Sequence, residues 1–314
     1  MTRSPIIAVI LPCHNEAAAI DAVVGAFRNA LPEANVYVYD NASIDGTARV
    51  AREAGADVRF EPQKGKGNAV ARAFADIDAD IYVVADGDGT YDAQIAPLMI
   101  ERMRKETLDM VVGVRKGAET GAFRRGHVLG NQIFSLAFRM LFRTDFTDIL
   151  SGYRVFSRRF VKSFPARARG FEIELEMSAH AALLRLPTLE VETHYGARAA
   201  GGESKLDTWR DGYRIMRRMF RFLRLHRPRF VYGVIGAATT LVALFFLTPV
   251  LAEFMLTGLV PRFPTLIVSV AVIMLGVLFF FVGAILDAQA QHFAETKRLA
   301  YLAVSPPTRP EGAA

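Results

Sequence analysis

Three carboxylates stand close together in VVADGDGTYD, Val83 to Asp92: Asp86, Asp88 and Asp92, directly after an apolar run. Carboxylates so spaced are hard oxygen donors, and the chemistry they offer first is the holding of a divalent cation. An EF-hand calcium loop also opens D-x-D, but it needs glycine at its sixth position and glutamate at its twelfth. Those places hold Tyr91 and Pro97, so the calcium loop is excluded. A surface turn rich in Asp and Gly is the bland alternative for a D-x-D pair. Asp92 suits a different task, capping the free N–H groups of a helix that begins near Ala93.

A second polar stretch, KGKGN, Lys64 to Asn68, lacks the spacing of a P-loop. Its Gly65-x-Gly67 is followed by Val70 where a dinucleotide fingerprint wants glycine or alanine. Two lysines on a glycine loop that opens a helix could still bind phosphate through ammonium and backbone N–H groups; a solvated turn is the competing reading. His14, His127, His180 and His194 are scattered with no H-x-x-x-H pair, which argues against zinc. The single cysteine, Cys13, excludes a disulfide framework and a cysteine-rich metal site and suits a reducing compartment.

The elements that must position these residues follow from periodicity. Apolar or β-branched runs at IIAVILP, NVYVYD, ADVRF, DIYVVAD and DMVVGV alternate with EAAAIDAVVGAFRNAL and DGTARVAREAG, whose apolar residues recur at helical spacing. This βαβ pattern predicts a mostly parallel sheet with ligands collecting beyond the carboxyl ends of its strands. Pro12 to Glu16, Asp40 to Ser43, Asp86 to Asp92 and Gly113 to Arg115 all fall at such ends. The N-terminus reads as the first strand, since MTRSPIIAVILP reaches polar residues without a small-residue cleavage site.

The other end of the chain is apolar. Phe230 to Ala252 is free of charge over 23 positions and Thr265 to Leu286 over 22, each long enough to span roughly 33 Å as a helix at about 1.5 Å per residue. Pro249 predicts a kink or an end to the first span. Before it, Arg210 to Arg229 carries eight arginines in twenty residues, with Tyr213, Met216, Phe220 and Leu223 forming an apolar stripe between them. That composition predicts an interfacial helix on anionic lipid, and by the positive-inside rule it keeps everything N-terminal to it in the cytoplasm. The net charge of +6 is concentrated beside a membrane segment, which argues against nucleic acid as the partner. The expected organisation is a catalytic domain at 1–205, a basic amphipathic helix at 206–229, a two-helix transmembrane hairpin at 230–286 and a cytoplasmic tail at 287–314. Small residues in the spans could also support a homo-oligomer.

LPCHNE, DNASIDGT, KGKGNAV, the Asp86 cluster and SGYR, in this order, resemble a family 2 glycosyltransferase with a GT-A fold. DILSGYRVFSRRFVKSFP, FEIELEM, GGESKL and the terminal hairpin are similar to the polyprenyl-phosphate members, which include dolichyl-phosphate mannose synthase and bacterial undecaprenyl-phosphate sugar transferases. The resemblance implies an inverting transfer of a sugar from a nucleotide sugar, expected to be a UDP-sugar, to a polyprenyl phosphate, expected to be undecaprenyl phosphate. It implies a place at the inner face of a bacterial cytoplasmic membrane, and Mg2+ or Mn2+ at Asp86 and Asp88 to neutralise the leaving diphosphate. Pro12, Asn15, Glu16 and Asp40 correspond to nucleotide-binding positions, and Lys64, Lys66 and Asp86 to the donor site. Arg115, with Arg124 or Arg125, is expected near phosphates, and Ser151, Arg154 and Lys205 near the acceptor phosphate. Asp148 is expected either to assist the nucleophile or to cap a turn. No strong base is required, because a useful fraction of a phosphate monoester with a second pKa of about 6 is already a dianion at neutral pH. One of Glu172, Glu174 and Glu176 could orient the acceptor loop. The chain departs from the family's usual pattern at Asn41, where a second acid is common, and at Gly89 to Asp92. The rivals are a processive polysaccharide synthase, which would carry Q-x-x-R-W where the sole tryptophan here reads Asp207-Thr208-Trp209-Arg210, and a sugar nucleotidyltransferase. A third is a membrane protein that binds nucleotide sugars without catalysis.

Overall fold

The computed structural model describes residues 4–116, 138–139, 142, 144–170, 172–196, 220, 223–225 and 227–307. The chain divides into two compact units, one of residues 1–205 joined by 297–314, the other of residues 206–296.

The first unit is built on a seven-stranded sheet of order β3-β2-β1-β4-β6-β5-β7. Its strands are β1 (Ile7–Cys13), β2 (Asn35–Asp40), β3 (Asp57–Phe60), β4 (Ile81–Val84), β5 (Met110–Lys116), β6 (Arg154–Ser157) and β7 (Thr188–His194). All of the expected strands form. β1 and β4 are buried at every position because both faces are covered, which is why they read as continuous apolar runs rather than alternating ones. The covering helices are α1 (Ile20–Ala30), α2 (Thr47–Glu53), α3 (Lys66–Asp76), α4 (Ala96–Glu106), α5 (Arg158–Ser163) and α6 (Ile173–Leu184). In α1 the buried residues are Ile20, Val23, Val24 and Phe27, one face at helical spacing.

One strand departs from the βαβ expectation. β6 lies antiparallel between β4 and β5. The SGYR segment that precedes it lies at the carboxyl edge of the sheet, so the strand leaving it must run back the other way. Arg154 pairs in register with both Val84 and Val112. Continued by two residues, that register sets Gly152 opposite Asp86.

The second unit carries α7 (Pro228–Thr257) and the greater part of α8 (Phe263–Leu302), both long and apolar enough to cross a membrane. α7 does not end at Pro249 but runs on to Thr257; proline costs the helix one N–H donor without ending it. Gly236 and Gly276 bring the two helices together, since a Cβ on Gly236 would stand 2.7 Å from the Gly276 carbonyl oxygen. These small residues serve contact within the hairpin. Most of the basic stretch Arg210 to Arg229 lies outside the described residues.

Candidate active site

The loop after β1 turns at Asn15, whose φ of 60° is one that Asn tolerates better than most side chains. Asn15 Oδ1 accepts the Ile44 N–H at 2.9 Å, and its own N–H donates to Ser43 Oγ at 3.0 Å. The Glu16 N–H donates to Thr47 Oγ1 at 2.9 Å. The loops after β1 and β2 are thus one stitched unit. Pro12 is buried within β1, and Asp40 closes β2, 5% exposed, with Oδ1 accepting the Ser43 N–H. Asn41, where the family often has an acid, binds the lysine loop instead. Its Nδ2 donates to the carbonyls of Glu61 and Gln63, and its Oδ1 accepts the Gly65 N–H at 2.6 Å. A carboxylate there could accept from Gly65 but could not donate.

Around buried Cys13 the surroundings are acidic. Burial raises its thiol pKa well above the ordinary value, and Glu16, Asp86, Asp40 and Asp88 raise it further. Asp88, 9% exposed, accepts the Thr90 N–H at 3.1 Å and the Thr90 hydroxyl at 2.6 Å through Oδ1. Asp92 caps the helical turn Ala93–Ile95 by accepting the Gln94 N–H, as expected. Asp86, whose side chain is 30% exposed, pairs with the Lys66 ammonium, and Lys66 also pairs with Glu174 of α6. Lys64 is exposed on the same loop.

Tyr91 joins this turn to the rest of the edge. Its hydroxyl accepts the Gly152 N–H at 2.9 Å, and its ring lies 5.3 Å from Tyr153 and 5.2 Å from Tyr195. Arg115 and Asp148 form a bidentate pair with both contacts at 2.7 Å. Burial would raise the Asp148 pKa, but the bonds and charge of Arg115 outweigh it and hold the carboxylate below its usual range. Such a carboxylate is a weak base. Glu190 fixes the approach to it by accepting the Thr147 and Asp148 N–H groups.

Two residues expected near the acceptor phosphate are engaged inside the protein. Ser151 Oγ donates to the Gly113 carbonyl at 2.5 Å and is fully buried. Arg154 is 1% exposed and donates to the carbonyls of Ser151 and Ile149 and to Ser178 Oγ, all within 2.9 Å. Burial brings its pKa down to about 10, still charged at neutral pH. It is a buried brace between the SGYR turn and α6. Arg124, Arg125 and Lys205 lie outside the described residues. Sequence reasoning passed over Tyr91, Gly152 and Glu190, read Asn41 as a lost acid, and left Glu174 unassigned among three glutamates. The spacing of Glu174 and Ser178, one helical turn apart, was the signal that both share a face of α6.

A strand-edge site of this kind on this sheet defines a GT-A glycosyltransferase, and the chain belongs to glycosyl transferase family 2, whose pattern matches residues 8–164. It is 35% identical over 296 residues to the glycosyltransferase AglJ of Haloferax volcanii, covering 93% of this chain and 97% of that one. It is 28% identical over 211 residues to an undecaprenyl-phosphate mannosyltransferase of Micrococcus luteus, covering 63% and 86%. Among solved structures it is similar in fold to glucosyl-3-phosphoglycerate synthase of Mycobacterium tuberculosis in complex with Mn2+ and UDP-glucose. That likeness has a TM-score of 0.56 and 23% identity over 70% of this chain and 78% of the other.

Proposed function

We propose that this glycosyltransferase moves a sugar from a nucleoside diphosphate, UDP in the first instance, to a polyprenyl phosphate at the cytoplasmic face of a bacterial membrane, with inversion at the anomeric carbon. The observation that carries this reading is the joining in one chain of a lysine–carboxylate site at the strand ends to two helices of membrane-spanning length. A soluble acceptor would give no reason for the hairpin. A polyprenol keeps its phosphate at the bilayer surface, and anchoring the enzyme there raises the effective concentration of the acceptor.

The loops of Pro12, Asn15, Glu16 and Asp40 take the nucleotide, and Lys64 and Lys66 face its diphosphate. Asp86 and Asp88 would hold Mg2+ or Mn2+. Among the described residues no group of three or more His, Cys, Asp or Glu forms a ready cage; two carboxylates completed by diphosphate oxygens and water are a donor set that suits these ions. Once bound, the cation supplies charge neutralisation for the leaving diphosphate. Asp148 positions Arg115 at the edge of the site rather than taking a proton, because the acceptor phosphate is already anionic. The phosphate approaches with help from Arg124, Arg125 and Lys205.

The test is release of UDP or GDP by the purified full chain across a panel of nucleotide sugars, with and without Mn2+ and undecaprenyl phosphate. Release should require both additions and fall at least about a hundredfold in Asp88→Asn. Release that ignores the lipid overturns the acceptor, and release that ignores the metal overturns the role of Asp86 and Asp88.

A further inference from the structure

Lys66 stands where a cation is out of place. It opens α3, and the amino end of a helix carries partial positive charge that disfavours a lysine. Its side chain is only 10% exposed. Two acids on separate elements hold it: Asp86 beyond β4 and Glu174 on α6, the latter 2.5 Å from Nζ. One ammonium between two carboxylates leaves surplus negative charge, shielded from water at Glu174 and open to it at Asp86, whose side chain is 30% exposed. Glu174 is 4% exposed, and among the described residues its Oε2 lies buried with no hydrogen-bond partner. An unsatisfied buried oxygen calls for an explanation beyond bracing. Gly152 closes the remaining side, since a Cβ there would stand 2.7 Å from Nζ and 2.8 Å from Asp86 Oδ2.

We propose that Lys66 is a built-in counter-cation for Asp86, which it yields to a divalent cation, and that Glu174 is a positioning residue that keeps the released ammonium beside the site for the donor diphosphate. The inference rests on Asp86 being a metal ligand. An ammonium in contact with Asp86 competes for the same oxygens. Glu174, already paired to Nζ, gives the lysine somewhere to stay when it lets go. Before donor binds, Lys66 balances the acids; afterwards the same charge turns to phosphate.

Mn2+ affinity of the full chain in detergent, read from the electron paramagnetic resonance of free Mn2+ without sugar or lipid, tests this apart from turnover. Lys66→Met should bind Mn2+ on the order of tenfold more tightly than wild type, because a cation within contact distance has been removed. Glu174→Gln should bind about threefold more weakly, since Lys66 then presses on Asp86 alone. In the Lys66→Met background the Glu174→Gln effect should vanish, and this double variant also avoids leaving a buried glutamate unpaired should Lys66→Met fold poorly. No tightening in Lys66→Met, or an equal loss from Glu174→Gln with and without the lysine, overturns the proposal while leaving the metal site standing. Absence of Mn2+ binding by wild type and variants alike, even with UDP added, overturns the metal reading and the counter-cation with it.

Discussion

Gly152 has a conventional φ, so its need for glycine is one of space: the Lys66 ammonium and the Asp86 carboxylate occupy the place of a side chain. Gly152→Ala should therefore keep the fold, costing about 1–3 kcal/mol as the Lys66 and Asp86 ends shift. It should cut activity at least about tenfold by displacing the pair on which donor binding depends. Equal activity in the variant, measured beside a thermal melt, would show that the pair tolerates movement. The same surroundings explain what could be read from residues alone. The place of Asp86 and Asp88 just beyond β4 was legible because an apolar run ending in acids marks a strand end. Arg154 was not, because an arginine in SGYR looks the same whether it faces phosphate or, as here, is spent on carbonyls and a serine behind the turn. Asn41 was read as a lost acid, whereas its amide does what a carboxylate cannot, donating and accepting at once across the lysine loop.

Strands and helices were more readable than their directions. Period and composition located β1 to β5, but nothing local in RVFS reveals that β6 runs antiparallel; that follows from where the SGYR turn must sit. FEIELEM, with its alternating glutamates, fits strand or helix until the burial of Glu174, Ser178 and His180 along α6 resolves it. His180 gives this helix a measurable pH dependence. It is packed edge-on against Phe160 at 5.1 Å and Phe164 at 5.4 Å, with Nε2 2.9 Å from Ser163 Oγ and Nδ1 lacking a partner among the described residues. Burial, with a smaller push from Lys297, takes its pKa down from 6.5 to about 3. The folded pKa lies below the unfolded one, so the unfolded chain takes up the proton first as pH falls. Stability is complete above about pH 6.5 and is lost progressively toward pH 3. Between pH 7.5 and pH 5 the loss from this residue is about 2 kcal/mol. His180→Gln, which can still bond Ser163, should flatten the pH profile of unfolding by that amount; parallel profiles for the two proteins would refute the assignment.

At the scale of the whole chain, the end of α8 belongs to the catalytic unit: residues from Lys297 onward group with residues 1–205. Uncharged spans and a basic flank were visible in the sequence, but residues 287–314 after them read only as a cytoplasmic tail. Its role comes from pairing with residues 114 to 192 positions away. Tyr301 donates its hydroxyl to Asp109 Oδ2 at 2.9 Å, and its ring lies 4.7 Å from the Arg159 guanidinium. Arg298 donates to the carbonyl of Leu184, the last residue of α6, at 2.9 Å, where a cation also suits the negative end of the helix. Asp109 is fully buried and depends on several donors at once, the Ser157 hydroxyl and the Arg159 fork besides Tyr301. Burial and the nearby carboxylate push the Tyr301 pKa up to about 12, so the hydroxyl keeps its proton and remains a donor through the neutral range. Tyr301→Phe removes that donor while keeping the ring, and a charged acceptor losing one of its bonds should cost about 1.5–3 kcal/mol. Denaturant unfolding of the full chain in detergent, followed by a probe in the catalytic unit, measures it. Arg298→Ala should cost less, about 1 kcal/mol, because the Leu184 carbonyl is a neutral acceptor at a helix end. If both variants unfold with the wild type, the tail is a passenger on the catalytic unit; if Tyr301→Phe alone reaches the expected loss, the Asp109 cluster is where the chain's last helix secures the fold that carries the site.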